Sequence, residues 1–173
     1  MDKKNTFILG GGPSLTEDIY KRIQKTNANI IAVNFSYKFA PPHIITFLDS
    51  DVYFKNRQEL DELSGKGVRL VSKPFATYPS HIEQNTLYSG SPTVLSGIFA
   101  ISWALANGYD NIYLFGYDGG GKDGKFHHHE FSREFDCFTQ SNHQYEIFQK
   151  ENIKIVGESL INLEKVGYDE VLV

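Results

Sequence analysis

Three glycines, a proline and a serine follow directly after the first apolar segment of the chain, as Gly10-Gly11-Gly12-Pro13-Ser14. Glycines let the backbone approach a ligand closely, and a helix that begins just after them offers unpaired N–H groups to an anion. The run matches neither standard fingerprint, because Leu15 replaces the third glycine of a dinucleotide loop and the Lys-Ser/Thr pair of a P-loop is missing. A tight turn without a ligand is the competing interpretation. We predict that Gly10, Gly11, Gly12 and Ser14 bind phosphate or a nucleotide.

Two aspartates, Asp49 and Asp51, flank a single serine. Many nucleotide-sugar transferases use this Asp-x-Asp spacing to hold a divalent cation that bridges phosphates. Side chains at i and i+2 of an extended segment point the same way, and oxygen-only ligands suit Mg²⁺ or Mn²⁺. We therefore predict Asp49 as a site residue, and Asp49 with Asp51 as a metal site. Asp51 has a second interpretation, as the N-cap of the following helix.

Three adjacent histidines, His127 to His129, precede Glu130 in a glycine-rich region that begins after Asp118. Imidazole titrates near neutral pH, and a transferase has to deprotonate its acceptor, so a general base is the best-motivated role. We predict His127 or His129 as that base, and Asp118 as a further catalytic residue. Zinc ligation by alternate histidines and a solvated polar loop are the other interpretations.

Six short apolar segments predict the strands that position these residues, because they are unbroken, as strands buried on both faces tend to be. They are Phe7–Leu9, Ile30–Val33, Ile44–Leu48, Val68–Val71, Ile112–Phe115 and Ile153–Val156. Between them lie segments that favour helices, namely Leu15–Lys25, Tyr53–Leu63, Val94–Asn107 and Gln140–Glu151. The alternation predicts an α/β fold of three layers with a mostly parallel sheet. With 173 residues, we expect a single domain over residues 1–173.

The polar residues just after each predicted strand should meet, because ligands of open parallel sheets bind at the carboxyl ends of the strands. Besides the glycine loop, these are Asn34, Asp49, Tyr117 and Asp118. Ser14 and Glu17 have the spacing of a capping box, which predicts that Leu15 opens the first helix. Two long irregular connections, Lys73–Pro92 and Gly116–Gln140, are the places where a compact domain often carries function.

Charge and composition limit the kinds of partner that we expect the protein to bind. A formal net charge of −4 gives no global field to hold a polyanion, so the sequence carries no strong nucleic-acid signal. One cysteine, Cys137, excludes an intrachain disulfide, and we find neither a secretory signal nor a run of apolar residues long enough to span a membrane. We expect a cytoplasmic protein, and the sequence leaves monomer and homo-oligomer both open.

A series of motifs from Phe7 to His129 resembles, in order, a known superfamily. The motifs are Phe7–Leu15, Ala32–Asn34, Pro42–Asp49, Ser96-Gly97 and Gly108–Asp118. They are similar to those of bacterial sialyltransferases that use CMP-sialic acid, of archaeal 6-hydroxymethylpterin diphosphokinase-like proteins, and of many small uncharacterised phage proteins. The stretch Gly116–Glu130 resembles the phage proteins most.

The sialyltransferase resemblance implies a Rossmann-like nucleotide-binding domain with a histidine base late in the chain. It places contacts to cytidine monophosphate at the glycine loop, Asn34, Asp49, Ser96 and Gly97, and leaves Tyr117 as the tyrosine available to assist phosphate departure. The diphosphokinase resemblance implies Mg²⁺-assisted transfer of diphosphate from ATP, which suits Asp49, Asp51 and Asp118.

We therefore expect a transferase that binds a small-molecule nucleotide donor. Glycosyl transfer from a CMP- or UDP-type nucleotide sugar is favoured over Mg²⁺-dependent transfer from ATP. A non-catalytic nucleotide-binding protein, such as a phage accessory factor, is the third hypothesis.

Overall fold

The computed structural model of the protein describes residues 4–87, 94–120 and 139–173. One sheet of eight strands forms the centre of this part, and every neighbouring pair of strands is parallel. The strands are β1 (Thr6–Leu9), β2 (Asn29–Val33), β3 (Ile44–Phe47), β4 (Arg69–Ser72), β5 (Ile82–Gln84), β6 (Ile112–Phe115), β7 (Ile153–Val156) and β8 (Glu164–Val166). The six predicted strands match observed ones to within a residue at either end. The prediction of a Rossmann-like α/β fold with a parallel sheet is confirmed.

The order of the strands is β5-β4-β3-β2-β1-β6-β7-β8. The chain moves outward from β1 in one direction through β5, then returns to lay β6 against the other side of β1. Consequently the loops after β1 and β6 leave the sheet side by side and turn toward opposite halves of it. Open α/β sheets bind ligands at such a switch in direction, in the crevice outside the carboxyl ends of the strands.

Helices cover both faces of the sheet and make the fold three-layered. They are α1 (Glu17–Ile23), α2 (Ser50–Lys55), α3 (Arg57–Gly65), α4 (Ser96–Ala106) and α5 (Tyr168–Val171), with 3₁₀ helices at Asn34–Lys38 and Thr139–Phe148. Ile8 packs with α4 on one face, whereas Phe7 and Leu9 pack with α1 on the other. Alternate residues of the strand thus serve both faces, which explains its unbroken apolar run. None of the described helices has both the length and the apolarity that crossing a bilayer requires.

The first helix begins two residues later than predicted. It starts at Glu17, and the Thr16 hydroxyl caps it by accepting the N–H of Ile19. The predicted capping box of Ser14 and Glu17, with Leu15 as the opening residue, is therefore wrong. The main-chain N–H of Ser14 is instead taken up by a side chain from the loop after β6.

The predicted helix Tyr53–Leu63 is in fact two helices, α2 and α3, which meet at Asn56. The side-chain amide of Asn56 donates to the carbonyl of Val52 at 2.8 Å. Asparagine side chains compete in this way with the hydrogen bonds of the helical backbone. The local break follows from that competition.

Two strands escaped prediction, and both are the outermost strands of the sheet. β5 lies inside the segment predicted as irregular, and β8 is the polar sequence Glu-Lys-Val. Edge strands are short and often charged, so they lack the apolar run that identifies an inner strand. The predicted helix Gln140–Glu151 is a 3₁₀ helix that ends at Phe148.

Candidate functional site

The glycine loop after β1 packs directly on the loop after β6. The N–H groups of Gly10 and Gly12 donate to the carbonyls of Phe115 and Gly116, both at 2.8 Å. A Cβ on Gly10 would lie 2.6 Å from the Gly116 carbonyl oxygen, and a Cβ on Gly12 would lie 2.5 Å from a carboxylate oxygen of Asp118. Close approach of the two loops therefore requires glycine at both positions.

Asp118 provides the negative charge at the place where the sequence predicted a bound anion. Its Oδ2 accepts the main-chain N–H of Ser14 at 2.8 Å. The N–H groups of Gly10, Gly12 and Ser14 thus already donate within the fold. Gly11 lies half-buried between the two paired glycines. The glycine loop and the loop after β6 thus meet around one carboxylate, at the carboxyl ends of β1 and β6, the place that we call the crevice.

Asn34 begins the 3₁₀ helix after β2 and has a left-handed backbone, with φ of 52°. Two residues further on, the Ser36 hydroxyl donates to the carbonyl of Gly10 at 2.6 Å. This bond joins the loop after β2 to the glycine loop and brings Asn34 to the crevice. Ser36 was missed from the sequence, although its position just after a strand at the carboxyl edge was a usable signal.

The carboxylate of Glu59 on α3 holds that 3₁₀ helix in place. It accepts the Tyr37 hydroxyl at 2.9 Å and the Lys38 ammonium at 2.6 Å. Burial by itself would raise the pKa of Glu59, but hydrogen bonds from Lys38 and Tyr37 and the charge of Lys38 outweigh it and keep the pKa below its ordinary value of 4.5. Glu59 is therefore ionised and acts as a clamp on the segment that presents Asn34.

We expect Glu59→Gln to lower the free energy of unfolding by no more than about 1 kcal/mol, because the clamp is partly exposed. A lowered folded pKa means that the contribution of the charge is fully present above the unfolded pKa, near 4.5, and is lost as the pH falls through the folded value. The difference between wild type and variant should stay constant above that pH and shrink below it. Urea unfolding across the acid range measures this.

Glu62→Gln is the matched control for this experiment. Glu62 lies exposed on the same helix and accepts from Gln58 at 3.2 Å. This substitution also removes one negative charge from α3, but it leaves the hydrogen bonds of Glu59 to Tyr37 and Lys38 in place. A difference between wild type and Glu59→Gln that does not depend on pH would contradict the role of the Glu59 charge.

Ser96 and Gly97 open helix α4 beside the loop after β6. A Cβ on Gly97 would lie 2.8 Å from both the Tyr117 ring and the Tyr145 hydroxyl oxygen. The Tyr117 hydroxyl donates to the carbonyl of Gly97 at 3.4 Å, and the side chain is buried. Burial, and to a lesser degree Tyr145, raises the pKa of Tyr117 well above its ordinary value. Tyr117 is therefore uncharged, and its side chain packs against the first turn of α4.

Asp49 and Asp51 lie at the start of α2, after β3. Both are exposed, and Asp51 pairs with Lys55 at 2.8 Å, one turn along the helix. Asp49, not Asp51, occupies the N-cap position, so the N-cap interpretation of Asp51 is wrong. The two do not lie in an extended segment either, because the helix begins at Ser50. Within the described residues, no three His, Cys, Asp or Glu side chains are grouped so that they could hold a metal ion.

Three segments from the last third of the chain support the crevice. The Tyr168 hydroxyl on α5 donates to the carbonyl of Ser14 at 3.3 Å. The Ser159 hydroxyl donates to the carbonyl of Tyr117 at 2.6 Å, and the amide of Asn142 donates to the carbonyl of Gly119 at 2.7 Å. Nothing in the local sequence indicates these contacts, because their partners lie more than 20 residues away.

Buried polar atoms are concentrated around this crevice. Ser14 Oγ, Asn34 Oδ1 and Asn142 Oδ1 are inaccessible to solvent and have no hydrogen-bond partner within the described parts of the chain. Buried polar atoms in folded proteins are usually paired, so each exception asks for an explanation. Ser14 and Asn34 follow β1 and β2, and Asn142, on the 3₁₀ helix Thr139–Phe148, donates to Gly119 in the loop after β6.

The predicted site residues thus fall into three groups. Gly10, Gly12, Ser14, Tyr117 and Asp118 are in contact, with Gly97 packed on Tyr117, Gly11 within the same loop and Asn34 tied to it through Ser36. Ser96 adjoins Gly97 at the start of α4, whereas Asp49 and Asp51 lie along the same edge of the sheet at α2. The proposed bases His127 and His129 lie outside the described residues, as does Cys137.

Searches of protein-family models, of curated proteins and of solved structures find no match to this chain. No family is therefore assigned. The chemistry of the crevice between β1 and β6 has to follow from its own residues.

Proposed function

We propose that this protein is a transferase that binds a nucleotide-activated donor in the crevice between the carboxyl ends of β1 and β6, and that it transfers a glycosyl group. The observation that carries the proposal is the position of Gly12, Ser14, Asp118 and Asn34 together at the point where the strand order reverses. Ligands of open parallel sheets bind at that point.

Two features of the crevice support a polar ligand. Ser14 Oγ and Asn34 Oδ1 lack partners among the described residues, and a buried polar atom left unpaired costs about 1–3 kcal/mol. A ligand that hydrogen-bonds to them removes that cost. The second feature is the left-handed backbone of Asn34, a strained conformation of the kind often found at binding sites.

Helix α4 supplies the part of the crevice that suits phosphate. Its first turn has no acidic residue, and its N-cap, Leu95, offers no side-chain hydrogen bond. The N-terminus of a helix attracts anions through its unpaired N–H groups and its dipole. We place the donor phosphate near Ser96 and Gly97.

Transfer then requires a base for the acceptor hydroxyl, and His127 or His129 is proposed for this role. The base takes the proton, the acceptor oxygen forms a bond to the anomeric carbon of the donor sugar, and the bond from that carbon to the phosphate oxygen breaks. The nucleotide leaves with both electrons of the broken bond.

We expect nucleotides to raise the melting temperature of the protein. A ligand that binds only the folded state at ten times its Kd adds about 1.4 kcal/mol to the free energy of unfolding. A thermal-shift screen of CMP, UDP and ATP, each with and without Mg²⁺, measures the effect. A shift with CMP or UDP supports glycosyl transfer, and a folded sample that none of these ligands stabilises would contradict the proposal.

Mg²⁺-dependent transfer of diphosphate from ATP is the second candidate. The observation that favours it is the presence of two acidic residues at this edge of the sheet. Asp118 contacts the glycine loop, and Asp49 is exposed at the start of α2, after β3. A polyphosphate close to these carboxylates needs a cation to offset their charge. A thermal shift by ATP that requires Mg²⁺ would select this candidate.

Histidine variants separate a transferase from a protein that only binds nucleotides. Of the variants His127→Ala and His129→Ala, the one that removes the base should abolish turnover and leave nucleotide affinity nearly unchanged. His81→Ala is the matched control, because His81 precedes β5 and pairs with Asp61 at 2.9 Å, away from the crevice. If nucleotides bind but neither variant changes turnover, the base assignment is wrong.

A further inference from the structure

Two phenylalanine side chains lie exposed side by side on the surface of the protein. Phe54 on α2 is 42% exposed, and Phe75, in the loop after β4, is 39% exposed. Their ring centroids are 6.0 Å apart, and both rings pack on the buried ring of Tyr78, at 5.9 Å and 5.2 Å. Large apolar side chains that are exposed together often mark a binding site. We call Phe54, Phe75 and Tyr78 the aromatic platform.

The core beneath the aromatic platform holds it in place. Tyr78 packs against Phe47 at 5.9 Å and against Tyr53 at 5.6 Å, and both of these side chains are fully buried. The N–H of Phe75 donates to the side chain of Gln84 at 2.9 Å, and its carbonyl accepts the N–H of Tyr78 at 3.1 Å. The rings therefore keep their positions before a ligand arrives, so binding orders few side chains.

A carboxylate lies beside the aromatic platform, at the carboxyl edge of the sheet. Asp49 follows Phe47 by two residues, is exposed, and does not cap α2 with its side chain. Burial, and to a lesser degree the charge of Asp49, raises the pKa of Tyr78, although a hydrogen bond with Ser72 opposes the rise. An effect of this charge requires the carboxylate to lie near the Tyr78 hydroxyl. The surface thus combines apolar ring faces with a hydrogen-bond acceptor.

This combination suits a carbohydrate. A sugar ring has apolar C–H groups on its faces and hydroxyl groups around its rim. The C–H groups pack against the electron-rich face of an aromatic ring, and the hydroxyls donate to carboxylate oxygens. Two exposed phenylalanines alone would suit any apolar ligand, whereas the carboxylate of Asp49 favours a ligand that donates hydrogen bonds.

The position of the aromatic platform separates it from the donor phosphate, which we place at the start of α4 beside the loop after β6. In the strand order, β3 and β4 lie three and four strands from β6. Neighbouring strands are about 4.8 Å apart, so even three strands correspond to about 14 Å. Tyr78 also packs with Phe47 on the face of the sheet opposite to α4. A base on the platform would therefore lie too far from that phosphate to belong to the same nucleotide.

We propose that the aromatic platform binds the acceptor of the transfer, a carbohydrate that stacks on Phe54 and Phe75 and donates hydroxyl hydrogen bonds to Asp49. This inference rests on the proposed function and supplies its second substrate. A chain of sugar rings extends along the carboxyl edge of the sheet from the platform to the crevice, where the donor is bound. The acceptor is thus an oligosaccharide rather than a single sugar.

Saturation-transfer NMR on the full chain tests the aromatic platform without any nucleotide. The probes are lactose, maltotriose, cellotriose and chitotriose, each titrated into wild type, Phe75→Ala and Ile147→Ala. Loss of an aromatic ring that stacks on a ligand weakens binding by about tenfold or more, so we expect that loss in Phe75→Ala for each sugar that the wild type binds. Ile147→Ala is the matched control, because it removes another exposed apolar side chain, on the 3₁₀ helix Thr139–Phe148, and should leave the affinity unchanged.

Phe75→Trp separates stacking from a loss of fold. Tryptophan keeps an aromatic face at this exposed position, so the variant should bind the same sugars at least as well as wild type. If Phe75→Trp binds as poorly as Phe75→Ala while both remain folded by circular dichroism, stacking on this ring is not what binds the sugar, and the inference is overturned.

The remaining outcomes distinguish this inference from the proposed function. If none of the four sugars binds wild type at millimolar concentration, or if Phe75→Ala binds them equally well, the inference is overturned and the proposed function stands. A loss of CMP or ATP affinity in Phe75→Ala as large as the loss for a sugar would assign the platform to the donor base, and binding of choline instead of the sugars would make it a site for organic cations. Either result also overturns the inference. If sugars bind but no nucleotide does, the proposed function fails, and the role of the sugar as acceptor fails with it.

Discussion

Trp103→Ala is expected to lower the free energy of unfolding by about 3–5 kcal/mol, the usual cost of removing a large buried aromatic side chain. Trp103 lies on α4, and its side chain is fully buried against the sheet. The indole N–H donates to Glu83 at 2.8 Å, and the guanidinium of Arg69 lies 5.0 Å from the ring. The variant loses the packing, the hydrogen bond and the cation–π contact together. Urea unfolding monitored by circular dichroism measures the loss.

Trp103→Phe separates the contribution of packing from that of the hydrogen bond. Phenylalanine keeps most of the apolar surface but has no N–H for Glu83, which still pairs with Arg69 at 2.6 Å. We expect this variant to lose clearly less than Trp103→Ala. Equal losses in the two variants would mean that the bond to Glu83, rather than the packing of α4 on the sheet, provides the stability.

The inner sheet follows from the sequence because each inner strand is buried on both faces. Ile44 and Ile45, neighbours on β3, are both buried but belong to clusters on opposite faces. A strand that packs against helices on both faces contains few polar residues, so its position in the chain can be predicted from the local sequence alone. The glycine run after β1 can be recognised from the local sequence in the same way.

The breaks and the edges of the fold depend on contacts that a local pattern does not contain. Asn56 ends α2 through one side-chain bond to Val52, although the apolar pattern continues across it. β8 is a strand because its backbone pairs with that of β7. Two of its three residues are exposed, so its sequence has no apolar pattern that would predict a strand. Such features are decided by tertiary structure rather than by residue type.

The candidate site divides in a similar way. Residue types at the ends of strands predicted that Gly12, Ser14, Asn34 and Asp118 would belong to one edge of the sheet, as they do. Their roles depend on which groups meet. The bond between Ser14 and Asp118 joins residues 104 positions apart, and it turns a loop expected to hold phosphate into one that presents a carboxylate.

Gly10→Ala tests how closely those two loops have to pack. A Cβ at this buried position would lie 2.6 Å from the main-chain oxygen of Gly116 and 3.0 Å from two atoms of the Tyr117 ring. The oxygen belongs to the backbone of the neighbouring loop, and Gly116 itself has a φ of +68°, so the loop has little freedom to yield. We expect a loss of about 2–3 kcal/mol in the free energy of unfolding, near the upper end of the usual cost of overpacking.

Gly65→Ala is the matched control, since the same substitution there should have the opposite effect. Gly65 ends α3, and nothing lies within 4 Å of a Cβ added to it. Alanine should therefore stabilise the protein by about 0.4–1 kcal/mol, because it restricts the unfolded chain and favours the helix. The same urea-unfolding experiment compares both variants with wild type. If Gly10→Ala were as stable as Gly65→Ala, the glycine run would not be needed for packing, and a ligand that approaches its backbone would become the better explanation for three consecutive glycines.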